Sequence, residues 1–202
     1  PPPPPPPPPP FFFHPHAGTP APLWSRGLGD VYKRQDASIH FSLSSTTREK
    51  RNGEEDGVDY RFLTNDEFKL GIAKDEYAEW EKIHGDYYYG TPKANFQHAL
   101  DWQQILLLEL DVKGAMSVKK LYPDQTISIF VEPPSLEDLK IRLQNRATDS
   151  EARIAKRLER LESELTYKVH FDHHVINDSV DQAVNEILNI IQHENEGVYH
   201  GT

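Results

Sequence analysis

Two arginines lie beside a run of hydroxyl side chains in the first third of the chain. Arg48 and Arg51 follow Ser44-Ser45-Thr46-Thr47, and Tyr60 comes a few residues later. An arginine guanidinium presents a planar set of N–H donors that fits phosphate oxygens, and hydroxyl groups add neutral hydrogen bonds. These residue types at this spacing predict a phosphate site, formed by Ser44, Arg48, Arg51 and Tyr60.

Acids and tyrosines form a second group of candidates. Glu79 precedes the run Gly85-Asp86-Tyr87-Tyr88-Tyr89-Gly90-Thr91-Pro92, in which the glycines permit tight bending. Phenols in such a run can stack on a base or donate to a phosphate, although an aromatic turn packed on the core is the simpler interpretation. Asp111 follows the apolar run 105–110, at a strand end where α/β sheets often carry ligand groups. An ordinary charged strand end explains Asp111 equally well.

A third group consists of arginines near a polar turn. Arg146 precedes the turn 147–150, and Arg157 lies in the charged helix predicted after it. Arginines on a mobile helix pair can close over phosphates and stabilise negative charge in a transition state. A solvated helix face with acids at helical spacing is the simpler interpretation of each one. Three histidines between 170 and 174 fit no complete metal site, so we predict no metal ligands.

Composition and charge exclude several classes of function. The chain has 202 residues, with 32 Asp and Glu against 22 Lys and Arg, for a net charge of -10. An acidic surface argues against nucleic-acid binding, which depends on neutralising phosphates. The apolar runs are too short to cross a membrane. Cysteine is absent, which suits a reducing compartment, so we expect a cytoplasmic protein without nucleic-acid or membrane partners.

The first 35 residues differ in composition from everything that follows. Thirteen of the 17 prolines fall within the first 22 residues, including Pro1 to Pro10. Such a stretch favours extended polyproline II and cannot close a core. We therefore expect residues 1–35 to be a disordered or artefactual leader, in preference to a ligand for an aromatic-grooved recognition domain.

Strands and helices alternate from Asp36 onwards. The apolar run 105–110 predicts a strand buried on both faces, and Thr64 with Glu67 predicts a capping box that opens a helix to about Ala73. Further strands are predicted at 39–43, 126–131 and 175–176, and further helices at 114–121, 135–146, 150–167 and 180–192. The pattern predicts an α/β domain over 36–193, with a mostly parallel sheet wrapped by helices and a polar tail at 194–202.

These motifs, in this order, resemble guanylate kinase from about His40 to Ile191. The resemblance is carried by Phe41-Ser42-Leu43-Ser44-Ser45-Thr46-Thr47-Arg48, Gly57-Val58-Asp59-Tyr60, Glu79-Trp80, Tyr88-Tyr89-Gly90-Thr91-Pro92, Leu108-Glu109-Leu110-Asp111-Val112, Pro133-Pro134-Ser135, Arg146-Ala147-Thr148-Asp149-Ser150 and Val175-Ile176-Asn177-Asp178. It implies a P-loop nucleoside monophosphate kinase-like fold. That fold has a small GMP-binding subdomain, about 44–95, and a helical lid, about 142–168.

The resemblance also implies an activity and a set of site residues. The family transfers the terminal phosphoryl group of ATP to GMP with Mg²⁺. The residues implied to bind GMP are Ser44, Arg48, Arg51, Tyr60, Glu79, Tyr89, Thr91 and Asp111. Glu79, Thr91 and Asp111 would recognise guanine, because the base offers N–H donors on N1 and N2. Arg146 and Arg157 match the lid arginines that contact the phosphates, and Asn177 matches a position near the adenine of ATP.

The chain departs from the family in lacking the Gly-x-x-x-x-Gly-Lys-Ser/Thr loop that holds the triphosphate. We therefore expect an inactive fragment that lacks the first strand and retains the GMP site, as a monomer or homodimer. Three tyrosines stand where the family usually has two, so either Tyr88 or Tyr89 could contact GMP. An alternative is a non-catalytic guanylate kinase-like module that binds phosphopeptides, although such modules typically lose residues retained here. A different nucleoside monophosphate kinase is a weaker rival.

Overall fold

The main sheet consists of five parallel strands. The computed structural model describes residues 11–15, 39–83, 87–144 and 151–200. The strands of this sheet are β1 (Phe11–Pro15), β2 (Ile39–Phe41), β7 (Ile105–Leu110), β8 (Thr126–Glu132) and β9 (His173–Ile176). Their order is β2-β7-β1-β8-β9, and every pairing is parallel. The predicted parallel sheet is therefore confirmed.

A second sheet of four strands carries the residues predicted to bind a ligand. Its strands are β3 (Ser45–Thr46), β4 (Arg61–Phe62), β5 (Tyr77–Ile83) and β6 (Tyr87–Pro92), in the order β4-β3-β6-β5. Strands β5 and β6 pair in antiparallel fashion. The tyrosine run was predicted as a turn packed on the core, and it forms strand β6 instead. Aromatic side chains favour a pleated, half-buried surface, and this preference outweighs the flanking glycines.

Six α-helices complete the described fold. They are α1 (Asn65–Ala73), α2 (Lys93–Asp101), α3 (Val112–Leu121), α4 (Leu136–Gln144), α5 (Glu151–Leu165) and α6 (Val180–His200). The predicted capping box at α1 is confirmed, because Thr64 accepts from the N–H of Glu67 while the Glu67 carboxylate accepts from the N–H of Thr64. None of the helices in the described ranges has the length and apolar character of a membrane span.

Strand β1 corrects the expectation that the sheet lacks its first strand. Residues Phe11–Pro15 belong to the predicted leader, yet they lie between β7 and β8, with Phe12 opposite both Leu107 and Ile127. A vacant central position would leave rows of backbone N–H and C=O groups of β7 and β8 unpaired, so any segment with strand propensity is favoured there. The remaining leader residues, 1–10 and 16–35, lie outside the described residues.

The C-terminal end also differs from the expectation. A polar tail was predicted from residue 194, but helix α6 continues to His200. Extending an existing helix adds a backbone hydrogen bond for each residue fixed, which is easier than starting one. The Glu194 carboxylate also lies 2.8 Å from Nε2 of the His173 imidazole, and this contact attaches this part of the helix to β9.

The core lies on both faces of the main sheet. Leu106 and Leu108 of β7 pack in one cluster with Phe96 and Val118 of the helices, whereas Ile105 and Leu107 belong to the cluster on the opposite face. Successive side chains of a strand point to opposite faces, so an unbroken apolar run suits a strand that is covered on both sides. The carboxyl end of β7 is thereby held rigidly, and this end delivers Asp111.

Candidate functional site

Arg48 is the most constrained cation of the predicted phosphate site. It follows β3 and is only 8% exposed. Its Nε donates to the Tyr89 hydroxyl at 3.1 Å, and its guanidinium lies 5.6 Å from the ring centre of Tyr60. The aromatic faces and the phenol fix the plane of the guanidinium, so its N–H donors have a defined direction.

Glu54 is the main side-chain acceptor for the terminal nitrogens of Arg48, and Nη1 also donates to the backbone oxygen of Glu49 at 2.6 Å. The Nη1 and Nη2 groups of Arg48 donate to the two carboxylate oxygens of Glu54 at 2.9 and 2.8 Å. Gly53, with a φ of 88°, lets the chain turn back so that this carboxylate also accepts from the N–H of Arg51 at 2.7 Å. The hydrogen bonds from Arg48 hold the pKa of Glu54 below its usual range. The two terminal nitrogens of Arg48 that would face the predicted phosphate thus contact a bidentate carboxylate.

Tyr88 and Tyr89 point to opposite faces of β6. Tyr89 contacts Arg48 and lies edge-on to Tyr60, with the two ring centres 6.0 Å apart. Tyr88 packs on Phe68 instead, with 5.3 Å between their ring centres. Burial raises the pKa of Tyr60 to about 12, so this phenol stays protonated and able to donate. The geometry favours Tyr89 over Tyr88 as the tyrosine of the phosphate site.

Ser44 and Arg51 flank Arg48 less closely. Ser44 is half-buried next to β3, and its backbone oxygen accepts from the N–H of Arg61 at 2.9 Å. Arg51 is exposed in the loop that carries Glu54. Both residues lie on the same stretch of chain as Arg48.

Glu79 and Thr91 form a hydrogen-bonded pair across the β5–β6 hairpin. They are directly opposite in the strand register, and the Thr91 hydroxyl donates to Glu79 Oε1 at 2.6 Å. Burial is the main cause that raises the pKa of Glu79 to about 7. Glu81 and Tyr89 are the next opposed pair on this face, since side chains repeat every second residue. One face of the hairpin therefore carries Glu79 and Glu81 together with Tyr89, whose phenol contacts Arg48.

Asp111 lies beside Glu79 and begins helix α3. Its Oδ1 accepts from the N–H of Gly114 at 2.6 Å, so it is the N-cap of the helix. A Cβ atom on Gly114 would lie 3.1 Å from this oxygen and 3.1 Å from Glu79 Oε2, which shows how closely the two acids approach the helix end. Both of the predicted guanine-recognising acids thus meet at one place.

The sequence interpretation missed three charged residues at this place. Arg160 of α5 donates from Nε to Glu164 at 2.8 Å, and its Nη2 lies 3.6 Å from Asp111 Oδ2 and 3.8 Å from Glu81 Oε2. Proton sharing with the neighbouring Asp111 carboxyl, followed by burial, raises the pKa of Glu81. Burial raises the pKa of Glu164 to about 7. The i,i+4 spacing of Arg160 and Glu164 was the available signal for this pair.

Comparison with known proteins decides the family. The guanylate kinase family model matches residues 26–194. The chain belongs to the guanylate kinase family. Guanylate kinases are nucleoside monophosphate kinases that use ATP and GMP, so the predicted enzyme class is confirmed.

Individual guanylate kinases are similar over most of their length. The guanylate kinase of Bacteroides thetaiotaomicron is 39% identical over 158 residues, which is 78% of this chain and 78% of that protein. The guanylate kinase of Hydrogenovibrio crunogenus is 43% identical over 156 residues, covering 77% of this chain and 75% of that protein. The crystal structure of guanylate kinase from Anaplasma phagocytophilum superposes with a TM-score of 0.72 at 25% identity. The superposition covers 93% of this chain and 86% of the Anaplasma chain.

Three predicted site residues remain, namely Arg146, Arg157 and Asn177. Arg146 and the side chain of Arg157 lie outside the described residues. Asn177 follows β9 and is 2% exposed. Its backbone N–H donates to the backbone oxygen of Glu132 at 2.8 Å, and its backbone C=O accepts from Arg142 at 2.7 Å. His173 contacts Glu194, and His174 contacts the backbone oxygen of Lys168.

Proposed function

We propose that this guanylate kinase chain binds GMP, with the phosphate at Ser44, Arg48, Arg51, Tyr60 and Tyr89 and the guanine at Glu79, Thr91 and Asp111. The observation that supports the proposal most is the shared face of the β5–β6 hairpin. That face carries Tyr89, which contacts the buried Arg48, and the hydrogen-bonded pair of Glu79 and Thr91. A phosphate and a base attached to one ribose require two such groups of donors and acceptors side by side.

Buried carboxylates favour guanine over other bases. Guanine offers N–H donors on N1 and N2, whereas adenine offers an acceptor at N1. Binding adenine would place its N1 acceptor against the carboxylate lone pairs of Glu79 and Asp111 that face the base, and an unpaired buried polar group costs about 1–3 kcal/mol. A site built to pair these groups therefore rejects the analogue that cannot pair them.

Transfer of a phosphoryl group needs further parts. Arg146 and Arg157 are proposed to contact the transferring phosphates, and Asn177 is proposed to lie near the adenine of ATP. Magnesium would be held chiefly by the ATP phosphates, since no group of three or more His, Asp or Glu side chains in the described ranges is arranged to hold a metal ion.

We expect this 202-residue chain to transfer phosphoryl groups slowly. The sequence contains no Gly-x-x-x-x-Gly-Lys-Ser/Thr motif, including the stretch after β1 where the family carries it. Without that lysine and the backbone N–H groups of the loop, the β- and γ-phosphates of ATP lose their main contacts. Most of the rate enhancement in phosphoryl transfer comes from positioning and charge stabilisation, so this loss is severe. The monomeric or dimeric state and the cytoplasmic location stay predictions.

Calorimetric titration tests the GMP site. We expect the full chain to bind GMP at least about tenfold more tightly than AMP, UMP or a phosphoserine peptide. Arg48→Ala should weaken GMP binding about a hundredfold, because it removes charged hydrogen bonds to the phosphate. Arg61→Ala is the matched control, since Arg61 is exposed on the neighbouring strand and should leave the affinity unchanged.

Two outcomes would contradict the proposal. Equal binding of GMP and inorganic phosphate would show that the acids do not recognise the base. Tighter binding of the phosphoserine peptide than of GMP would favour a phosphopeptide-binding module instead. A coupled assay for ADP formation, run with ATP and GMP, separately measures phosphoryl transfer. Turnover at a typical kinase rate of about 1–100 per second would overturn the expectation of slow transfer.

A further inference from the structure

Arg160 connects three parts of the molecule through acidic side chains. It belongs to helix α5, and its guanidinium meets Glu164 of the same helix, Asp111 at the end of β7 and Glu81 of β5. The distances are 2.8, 3.6 and 3.8 Å respectively. Arg160 therefore joins a helix to the strand end and to the hairpin that form the guanine end of the proposed site.

The contacts of Asp111 leave few orientations for its carboxylate. Oδ1 accepts from the N–H of Gly114, while Oδ2 faces the Arg160 guanidinium. The Asp111 side chain is only 13% exposed. A carboxylate that is held from both oxygens keeps its plane fixed, so its remaining lone pairs have a defined direction towards a ligand.

The acidic side chains around Asp111 favour a cation close to them. Glu79 and Glu81 face it from β5, Glu164 faces it from α5, and these acids repel one another when ionised. Arg160 offsets this repulsion by direct contact. Lys113 of α3 is exposed and acts on Glu81 through charge alone. Arg160 lowers the pKa of Glu81 and of Glu164, so these two carboxyl groups would keep a proton to higher pH without it.

We propose that Arg160 is a positioning residue for guanine recognition, which holds the Asp111 carboxylate in one orientation and ties helix α5 to the guanine end of the site. This inference rests on the proposed GMP-binding function. Because Arg160 acts on Asp111 and Glu81 rather than on the phosphate site, its removal should affect recognition of the base and leave recognition of the phosphate intact.

A titration of the full chain with GMP and with ribose 5-phosphate separates these effects. Arg160→Gln should weaken GMP binding about tenfold, as expected for losing one charged hydrogen-bond partner, and change ribose 5-phosphate binding less than about twofold. Arg160→Lys keeps the charge and should restore part of the GMP affinity. Lys113→Gln is the matched control, because it removes a nearby charge without removing a contact. A thermal melt checks that each variant is folded.

A pH profile gives a second readout that a purely structural role would not move. Arg160→Gln should shift the rise of GMP affinity with pH to higher pH, because Glu81 and Glu164 lose the cation that favours their ionised forms. Lys113→Gln should shift it less, since Lys113 makes no such contact.

The possible results separate the role of Arg160 from the GMP site itself. Equal loss of GMP and ribose 5-phosphate affinity, or no loss of either, would overturn the role of Arg160 while leaving the GMP site standing. An equal shift of the pH profile by Lys113→Gln and Arg160→Gln would overturn that role in the same way. If the unaltered chain shows no preference for GMP over ribose 5-phosphate, the proposed function fails and this inference fails with it.

Discussion

Burial raises the pKa of Glu79 to about 7, so its charge changes within the physiological pH range. The N–H donors of guanine are expected to hydrogen-bond to the ionised carboxylate of Glu79, because both of its oxygens accept. The ionised fraction of such a group rises from about a tenth at pH 6 to about nine tenths at pH 8. We therefore expect the ratio of GMP to AMP affinity to rise about tenfold over this range, as measured by titration at each pH.

AMP is the appropriate reference in this experiment. Its phosphate titrates near pH 6 as the GMP phosphate does, so the ratio cancels that contribution. Glu79→Gln cannot ionise and should flatten the pH dependence of the ratio. If the slope survives in Glu79→Gln, another group controls recognition of the base.

Contacts between distant segments limited prediction at the residue scale. Arg48 and Tyr60 could be proposed as phosphate-binding residues because they lie in one short run. Tyr88 and Tyr89 were alternatives, and the structure distinguishes them because successive side chains of β6 point to opposite faces. The contact of Arg160 with Glu81 joins residues far apart in the chain, and no local spacing indicates it. Glu81 is two residues from Glu79, so a strand prediction for 77–83 would have placed both on one face.

The best-predicted elements were those with strong local patterns. The apolar run of β7 and the capping box of α1 each carry their signal within a few residues, and both are confirmed. Strand β6 was missed because glycines usually indicate turns, whereas Gly90 is needed here for a close approach to β5. The prediction of a turn is therefore wrong for residues 87–92, and residues 85 and 86 lie outside the described residues.

Gly90 offers a test of how tightly the hairpin is packed. A Cβ at this position would lie 2.9 Å from the backbone oxygen of Glu79 and 3.0 Å from atoms of Phe68 and Trp80. Gly90→Ala should therefore lower the free energy of unfolding by about 1–3 kcal/mol, as measured by urea denaturation. It should also weaken GMP binding, because Glu79 must move.

A matched control is available on helix α3. Ser117 is exposed, and Ser117→Ala adds no atoms to a packed region, so the free energy of unfolding should change by less than about 0.5 kcal/mol. A Gly90→Ala protein as stable as this control would show that the hairpin can separate without cost.

The whole molecule has the predicted α/β architecture. Its central strand, β1, comes from residues that were predicted to be a leader. Composition alone assigned residues 11–15 to a leader, because prolines surround them on both sides. The stability of a central strand depends on two neighbouring strands that lie about a hundred residues away in sequence. Local propensity cannot report such partners, so this part of the fold was not predictable from the segment itself.

Phe12→Pro tests whether β1 supports the fold. Proline lacks the backbone N–H that a central strand needs, so we expect the free energy of unfolding to fall by about 3 kcal/mol or more. Pro5→Ala, in the predicted leader, is the control and should leave the thermal melt unchanged. If the two variants melt at the same temperature, β1 contributes nothing to stability and the sheet holds together through β7 and β8 alone.

The pairing of Arg48 with Glu54 has a consequence for competition among anions. The guanidinium already has an internal counter-ion, so a simple ion from the medium gains little by replacing one carboxylate with another negative group. Only a ligand that brings additional contacts, such as a purine reaching the acids beyond Tyr89, recovers the energy of releasing Glu54 to water. If Arg48 binds a nucleotide phosphate as proposed, this pairing with Glu54 should make free inorganic phosphate a weaker competitor than whole nucleotides.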